Sequence, residues 1–287
     1  MSRRSVVLAA LFVSALAVAP AAAGDGPMPG AMQGGSGLLL SAGGPGGGSR
    51  FVAVGTQTQP QPSTTLEVVS TKDGSVQRWI DYWGEWGIPT VTGYGGTGEG
   101  LSGDGKTIVL GDIAQTYPRT KSSFLVIDRS NLLIRRTIQL KGDFAYDAIS
   151  PNAHRLYLIQ HVDANDTTKY VVRSYDLETG TLLPGRIADR TQKGWVMAGF
   201  PLARATSAGG RWVYTLYQPA MRGSFPFIHA LDTVRGVAHC IGLPWRATDQ
   251  NSVYSFHLAL KGTSIVVQWQ DGRTWRRVDT TTWHISK

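Results

Sequence analysis

One phrase recurs along this chain and sets the terms for its fold. The clearest copies are Leu101-Ser-Gly-Asp-Gly-Lys-Thr-Ile-Val-Leu110, Ile149-Ser-Pro-Asn-Ala-His-Arg-Leu-Tyr-Leu158 and Thr206-Ser-Ala-Gly-Gly-Arg-Trp-Val-Tyr-Thr215. Each closes a short apolar run on a small residue, turns tightly, and starts a second β-rich run. Fainter copies begin at Ser41 and Ala259, so the small residues follow one another at steps of 61, 48, 57 and 52. A self-similar period of this size means stacked supersecondary units, none of which can bury its apolar face alone.

Each unit reads as four strands. The second run alternates or is β-branched: Phe51–Val54, Thr107–Leu110, Leu156–Ile159, Trp212–Thr215 and Ser264–Val267. The third ends on an aspartate in four units, at Asp128, Asp176, Asp232 and Asp279, and the first unit offers Asp73-Gly74. Such an aspartate accepts backbone amides two residues on and opens a hairpin into the fourth run. The fourth runs are 75–80, 132–140, 181–187, 237–243 and 282–285. Helical periodicity is absent. Units of about 40–50 residues carrying four strands are the signature of a β-propeller blade, so the expected fold is an all-β propeller of about five blades.

The motifs carry a family resemblance. Ser102-Gly-Asp-Gly-Lys-Thr-Ile-Val-Leu followed by Phe124-Leu-Val-Ile-Asp-Arg resembles the bacterial YVTN-type, WD-like propeller repeat, as does Ile149-Ser-Pro-Asn with Ser174-Tyr-Asp-Leu-Glu-Thr-Gly180. The likeness covers residues 37–287, strongly in units two and three, and departs from that family's seven-bladed norm. It implies extracytoplasmic binding or scaffolding, with enzymes a sizeable minority, because the motif specifies a blade and not a chemistry.

The ends and the charge add limits. Arg3-Arg4, an apolar run from Val6 to Val18 and Ala21-Ala22-Ala23 read as a secretory signal peptide over residues 1–23. The run is shorter than the roughly 20 residues that span a bilayer. An uncleaved anchor is the alternative, and the paired arginines leave general-secretory and twin-arginine export both open. Residues 24–36 form a flexible Gly/Pro-rich leader, and 37–287 form the propeller. The expected location is secreted, or the periplasmic or cell-wall space. The signal carries two of the +8 formal charges. What remains is basic without any Lys/Arg block, so a nucleic-acid footprint is not expected. Cys240, the single cysteine, excludes an internal disulfide.

Candidate site residues come from loops and register. In the propeller geometry that the resemblance implies, strand one lies nearest the axis. The 2–3 loops and the unit-to-unit connections then share one rim. Its long segments carry Trp83, Trp86, Tyr117, Trp195 and Trp245, which either stack on a ligand or fold back as a local core. Three residues before each repeat's small residue stand Leu38, Glu99, Asp147, Arg204 and Phe256. If these ring the axis, Glu99 and Asp147 could serve as acid and base with Arg204 orienting a substrate; the other reading is an ion pair that closes the channel. The six histidines show no metal spacing, and no phosphate loop or nucleophile elbow is present, so neither metal nor cofactor is expected. The sequence therefore points to a monomeric binding module for a protein or cell-wall glycan. A hydrolase or lyase acting on a carbohydrate or lactone is the alternative.

Overall fold

The computed structural model describes residues 38–41, 48–56, 62–92, 98–113, 117–189, 196–219, 225–245 and 253–287. The signal segment and leader expected over 1–36 lie outside the described residues, as does Trp195. The fold is an all-β propeller, built from consecutive antiparallel meanders. Unit one is β1 (Leu38–Ser41), β2 (Ser49–Thr56), β3 (Ser63–Ser70) and β4 (Val76–Trp83). Unit two is β5 (Trp86–Gly87), β6 (Thr107–Asp112), β7 (Lys121–Asp128) and β8 (Ile134–Lys141). Unit three is β9 (Phe144–Ile149), β10 (Arg155–His161), β11 (Lys169–Asp176) and β12 (Thr181–Leu182). Unit four is β13 (Met197–Thr206), β14 (Trp212–Pro219), β15 (Phe227–Asp232) and β16 (Val237–Gly242). Unit five is β17 (Phe256–Lys261), β18 (Ser264–Trp269), β19 (Thr274–Asp279) and β20 (Ile285–Ser286). A short β11–β13 ladder, Lys169↔Ala198 and Tyr170↔Met197, ties units three and four into one sheet.

The recurring small residue has a physical explanation. In three units its hydroxyl oxygen accepts the amide five residues on and so closes the turn between strands one and two. The pairs are Thr107 N to Ser102 Oγ (3.0 Å), Arg155 N to Ser150 Oγ (2.9 Å) and Trp212 N to Ser207 Oγ (2.8 Å). Ala259 has no hydroxyl and lies inside β17, which turns directly at Lys261↔Ser264; this is why the fifth copy of the phrase is faint. The aspartates act as expected in all five units. Asp73, Asp128, Asp176, Asp232 and Asp279 each accept the amide two residues on. Bonds to Ser130 and Arg135 hold Asp128 down at about 2.

Several strand boundaries differ from the sequence reading: β4 runs on through Trp83, which therefore lies on a strand and not in a rim loop, and the fourth strand of unit five begins only at Ile285. The fourth run of unit three breaks at Leu182 because Pro184 follows and has no amide to give, leaving only an isolated bridge from Ile187 to Val172. In unit two, Trp86 belongs to a strand and not to a loop. It pairs with Asp112, and its amide is taken by Thr64 Oγ1 at 2.8 Å.

The core lies between units, not within them. Phe51, Leu66 and Tyr82 pack on Ile108, Leu125 and Ile127 between units one and two. Phe124 and Val126 meet Tyr146, Leu156 and Leu158 between units two and three. Tyr157, Ile159 and Tyr170 meet Val213, Tyr217 and Leu231 between units three and four. Leu216, Ile228 and Ile241 meet Phe256, Ile265 and Val267 between units four and five. Among the described residues no such cluster joins unit five to unit one. No helix among them is long and apolar enough to cross a membrane.

Candidate functional site

The inner strands carry the polar group, and irregular backbone aims it. A β-bulge adds one residue to a strand and re-aims a side chain. In β9 the register jumps from Tyr157↔Ala148 to Leu158↔Tyr146, so Asp147 is the extra residue. In β13 it jumps from Pro201↔Tyr217 to Ala203↔Leu216, two residues before Arg204. In unit two, Gly100 has φ 116°, and a Cβ there would lie 2.5 Å from the Val109 carbonyl oxygen, so only glycine fits beside Glu99. β17 keeps an unbroken register, and Phe256 is accordingly buried against Trp269 and Trp275 in the core between units four and five.

Glu99, Asp147 and Arg204 are brought together. Arg204 Nη2 lies 2.6 Å from Asp147 Oδ1, with the two side chains 1% and 3% exposed. Arg204 also donates through Nη1 to the Asp147 carbonyl oxygen and through Nε to Thr215 Oγ1 at 3.0 Å. Glu99 reaches across from unit two, accepting the Thr206 hydroxyl at 3.4 Å. Burial raises the Glu99 carboxyl above the usual carboxylate range; Arg204 opposes that shift and Asp147 adds to it. His229, also buried nearby, is pushed down to about 4 by burial and stays neutral. A Cβ on Gly103 would collide with the Gly209 carbonyl oxygen, so the first turns of units two and four touch, and Asp104 N bonds Pro151 O of unit three at 2.8 Å. One guanidinium is committed to one carboxylate, and the second carboxyl, raised by burial, stands across from them.

The aromatic candidates separate into two kinds. Trp245 is packed, edge-on to Phe256 and Trp275 at 5.9 and 5.5 Å. Trp86 packs on the core between units one and two, and its indole N–H donates to the Trp83 carbonyl at 2.7 Å. Tyr117 is 38% exposed, with the Arg119 guanidinium 5.9 Å from its ring centre. Arg119 is itself fixed by Asp143 at 2.8 Å and Asp112 at 3.1 Å. Trp83 is 76% exposed, the most of any large apolar side chain among the described residues.

Trp79, absent from the sequence reading, is 63% exposed on the same strand. Alternation could have found it. On β4, Arg78 and Tyr82 face unit two, bonding Ser130 O and Leu132 O, so Trp79, Asp81 and Trp83 share the opposite face. The two indoles stand about 13 Å apart along the strand. Between them Asp81 accepts the Thr65 hydroxyl at 2.5 Å, and Glu67 lies opposite Trp79. Among the described residues no three His, Cys, Asp or Glu side chains converge as a metal site.

No family model and no curated protein matches the chain. Solved structures do. The β-propeller domain of Swd1 (Cps50) from Myceliophteria thermophila is 10% identical, with TM-score 0.45, over 86% of this chain and 66% of its own. The Dos1 propeller is 9% identical, with TM-score 0.47, over 89% and 62%. TolB from Acinetobacter baumannii is 12% identical, with TM-score 0.40, over 84% and 53%. The chain thus spans about half to two thirds of these proteins' length. The likeness is one of architecture alone.

Proposed function

We propose that this chain is a non-catalytic binding module, exported to the extracytoplasmic space, that recognises a cell-wall glycan through the Trp79–Asp81–Trp83 face and the adjoining loop-rich rim. The observation that carries the reading is the exposure of Trp83 and Trp79 on one face of an edge strand, with carboxylates and a hydroxyl between and beside them. Flat aromatic faces stack on sugar rings, and polar groups at their edges fix hydroxyls. The polar group on the inner strands is spent on its own ion pair, which disfavours chemistry there.

The test is a glycan-array screen of the wild type beside Trp79→Ala and Trp83→Ala. Each variant should keep the wild-type melting temperature within about 2 °C, as expected for exposed positions, and lose binding. Trp86→Ala should instead melt several degrees lower, because that ring is packed. Binding unchanged in both exposed variants would overturn the platform, and capture of a protein but no glycan would replace the ligand class. The hydrolase or lyase reading is favoured by one observation, the raised Glu99 carboxyl beside Arg204. It requires Glu99→Gln/Asp147→Asn to hold a sugar longer than the wild type does.

A further inference from the structure

The rim opposite the long loops gathers charge that the sequence leaves scattered. It is made of the strand 1–2 and 3–4 turns, whose aspartates are mostly occupied by their own backbone amides. Two cavities of about 400 Å³ each open there, one between units one and two and one between units two and three. Arg78, Lys106 and Arg129 line the first, Arg136 and His154 line the second, and Arg135 is a wall of both. Five guanidinium or ammonium groups face two carboxylates, Asp128 and Glu178.

The partners of these cations matter more than their number. Arg78 donates to the carbonyl oxygens of Ser130 and Arg129, Arg129 to Gly105 O at 3.2 Å, and Arg136 to Glu178 O at 3.4 Å. A carbonyl fixes a guanidinium in place and leaves its charge uncancelled. Among the described residues only Arg135 of these cations is ion-paired, to an Asp128 that Ser130 already engages through its amide and hydroxyl. Pre-ordered guanidinium forks match the oxygens of a tetrahedral oxyanion, and two joined grooves ask for more than one such group. We propose that this rim binds a phosphate-bearing polymer, with one phosphate in each groove and Arg135 between them. The site is separate from the tryptophan face and does not depend on it.

The experiment is a titration of the full chain with fluorescent inorganic polyphosphate, with monophosphate and polygalacturonate as competitors. Lys106→Ala/Arg135→Ala/Arg136→Ala should weaken polyphosphate binding by about tenfold or more, the scale of losing charge-assisted contacts. Lys121→Ala/Lys141→Ala/Arg273→Ala, which removes the same charge at exposed positions on the opposite rim, should change it by no more than about twofold. Monophosphate and polygalacturonate should compete poorly. Equal losses in the two triple variants would reduce the effect to net charge and overturn the site. So would a wild type that ignores polyphosphate, while equal competition by polygalacturonate would overturn the phosphate assignment. Should the groove triple melt early, Lys106→Ala alone, at an exposed turn, should still weaken binding about threefold against an unchanged Lys141→Ala.

Discussion

Replacing Arg204 by methionine should damage this protein far more than the loss of one surface charge would. Methionine fills a similar volume and removes three contacts at once: Asp147 Oδ1 at 2.6 Å, the Asp147 carbonyl and the Thr215 hydroxyl. What remains is a carboxylate only 3% exposed with no cation beside it. Stripping one partner from such a buried pair destabilises by about 3–5 kcal/mol. At about 2–4 °C per kcal/mol for a domain of this size, the melting temperature should fall by roughly 6–20 °C. The partner experiment is Arg204→Met/Asp147→Leu, which removes both charges together. Buried pairs replaced whole by apolar groups are often neutral, so the double variant should return to within about 2 kcal/mol of the wild type. Urea unfolding of the four proteins gives the coupling energy directly. A single variant costing under about 1 kcal/mol, or a double variant that merely sums the two singles, would refute the claim that this pair holds the inner strands.

Three further outcomes follow from the same geometry. Glu99 has a folded-state pKa raised chiefly by burial, so its contribution to stability is complete below its ordinary value near 4.5 and is lost as the pH climbs through the raised one. Glu99→Gln should therefore gain melting temperature over the wild type at pH 7–8 and show no gain at pH 4; a gain independent of pH would contradict this. Ser150→Ala leaves the buried turn without the oxygen that takes the Arg155 amide and should cost about 1–3 kcal/mol in chemical unfolding, while Ser130→Ala, at an exposed turn, should cost under about 1. Burial pushes the Cys240 thiol up to about 12, so the native protein should resist iodoacetamide at pH 8 and react fully once unfolded; rapid native labelling would place the thiol in a different environment.

The repeat was legible because it is local chemistry. A small residue ending one run and an aspartate opening the next turn are decided within a few residues; the aspartates bond as expected, and the structure adds the serine hydroxyls that close the first turn. The gathering of Glu99, Asp147 and Arg204 was also readable, from equal offsets before Ser102, Ser150 and Ser207. The offset misled for Phe256, since aiming depends on a bulge and a bulge leaves little trace in composition. Trp79 sits in a strand and not in one of the long loops, and only period-two alternation pairs it with Trp83. The arginines of the turn rim could not be read as a group at all. Arg78 and Arg136 are far apart in sequence, and only the stacking of units one, two and three sets their separate grooves side by side, with Arg135 lining both.

The contact of Gly103 with Gly209 means that the units are not equals. Units two, three and four are bound to one another both around the arc and straight across it, by backbone that has no room to slip. Units one and five each lean on a single neighbour among the described residues. The middle is therefore a keystone and the flanks are its dependants, and the protein should let go from its ends inward, with amide protons expected to exchange earliest in β1–β4 and β17–β20 and latest beneath that glycine crossing.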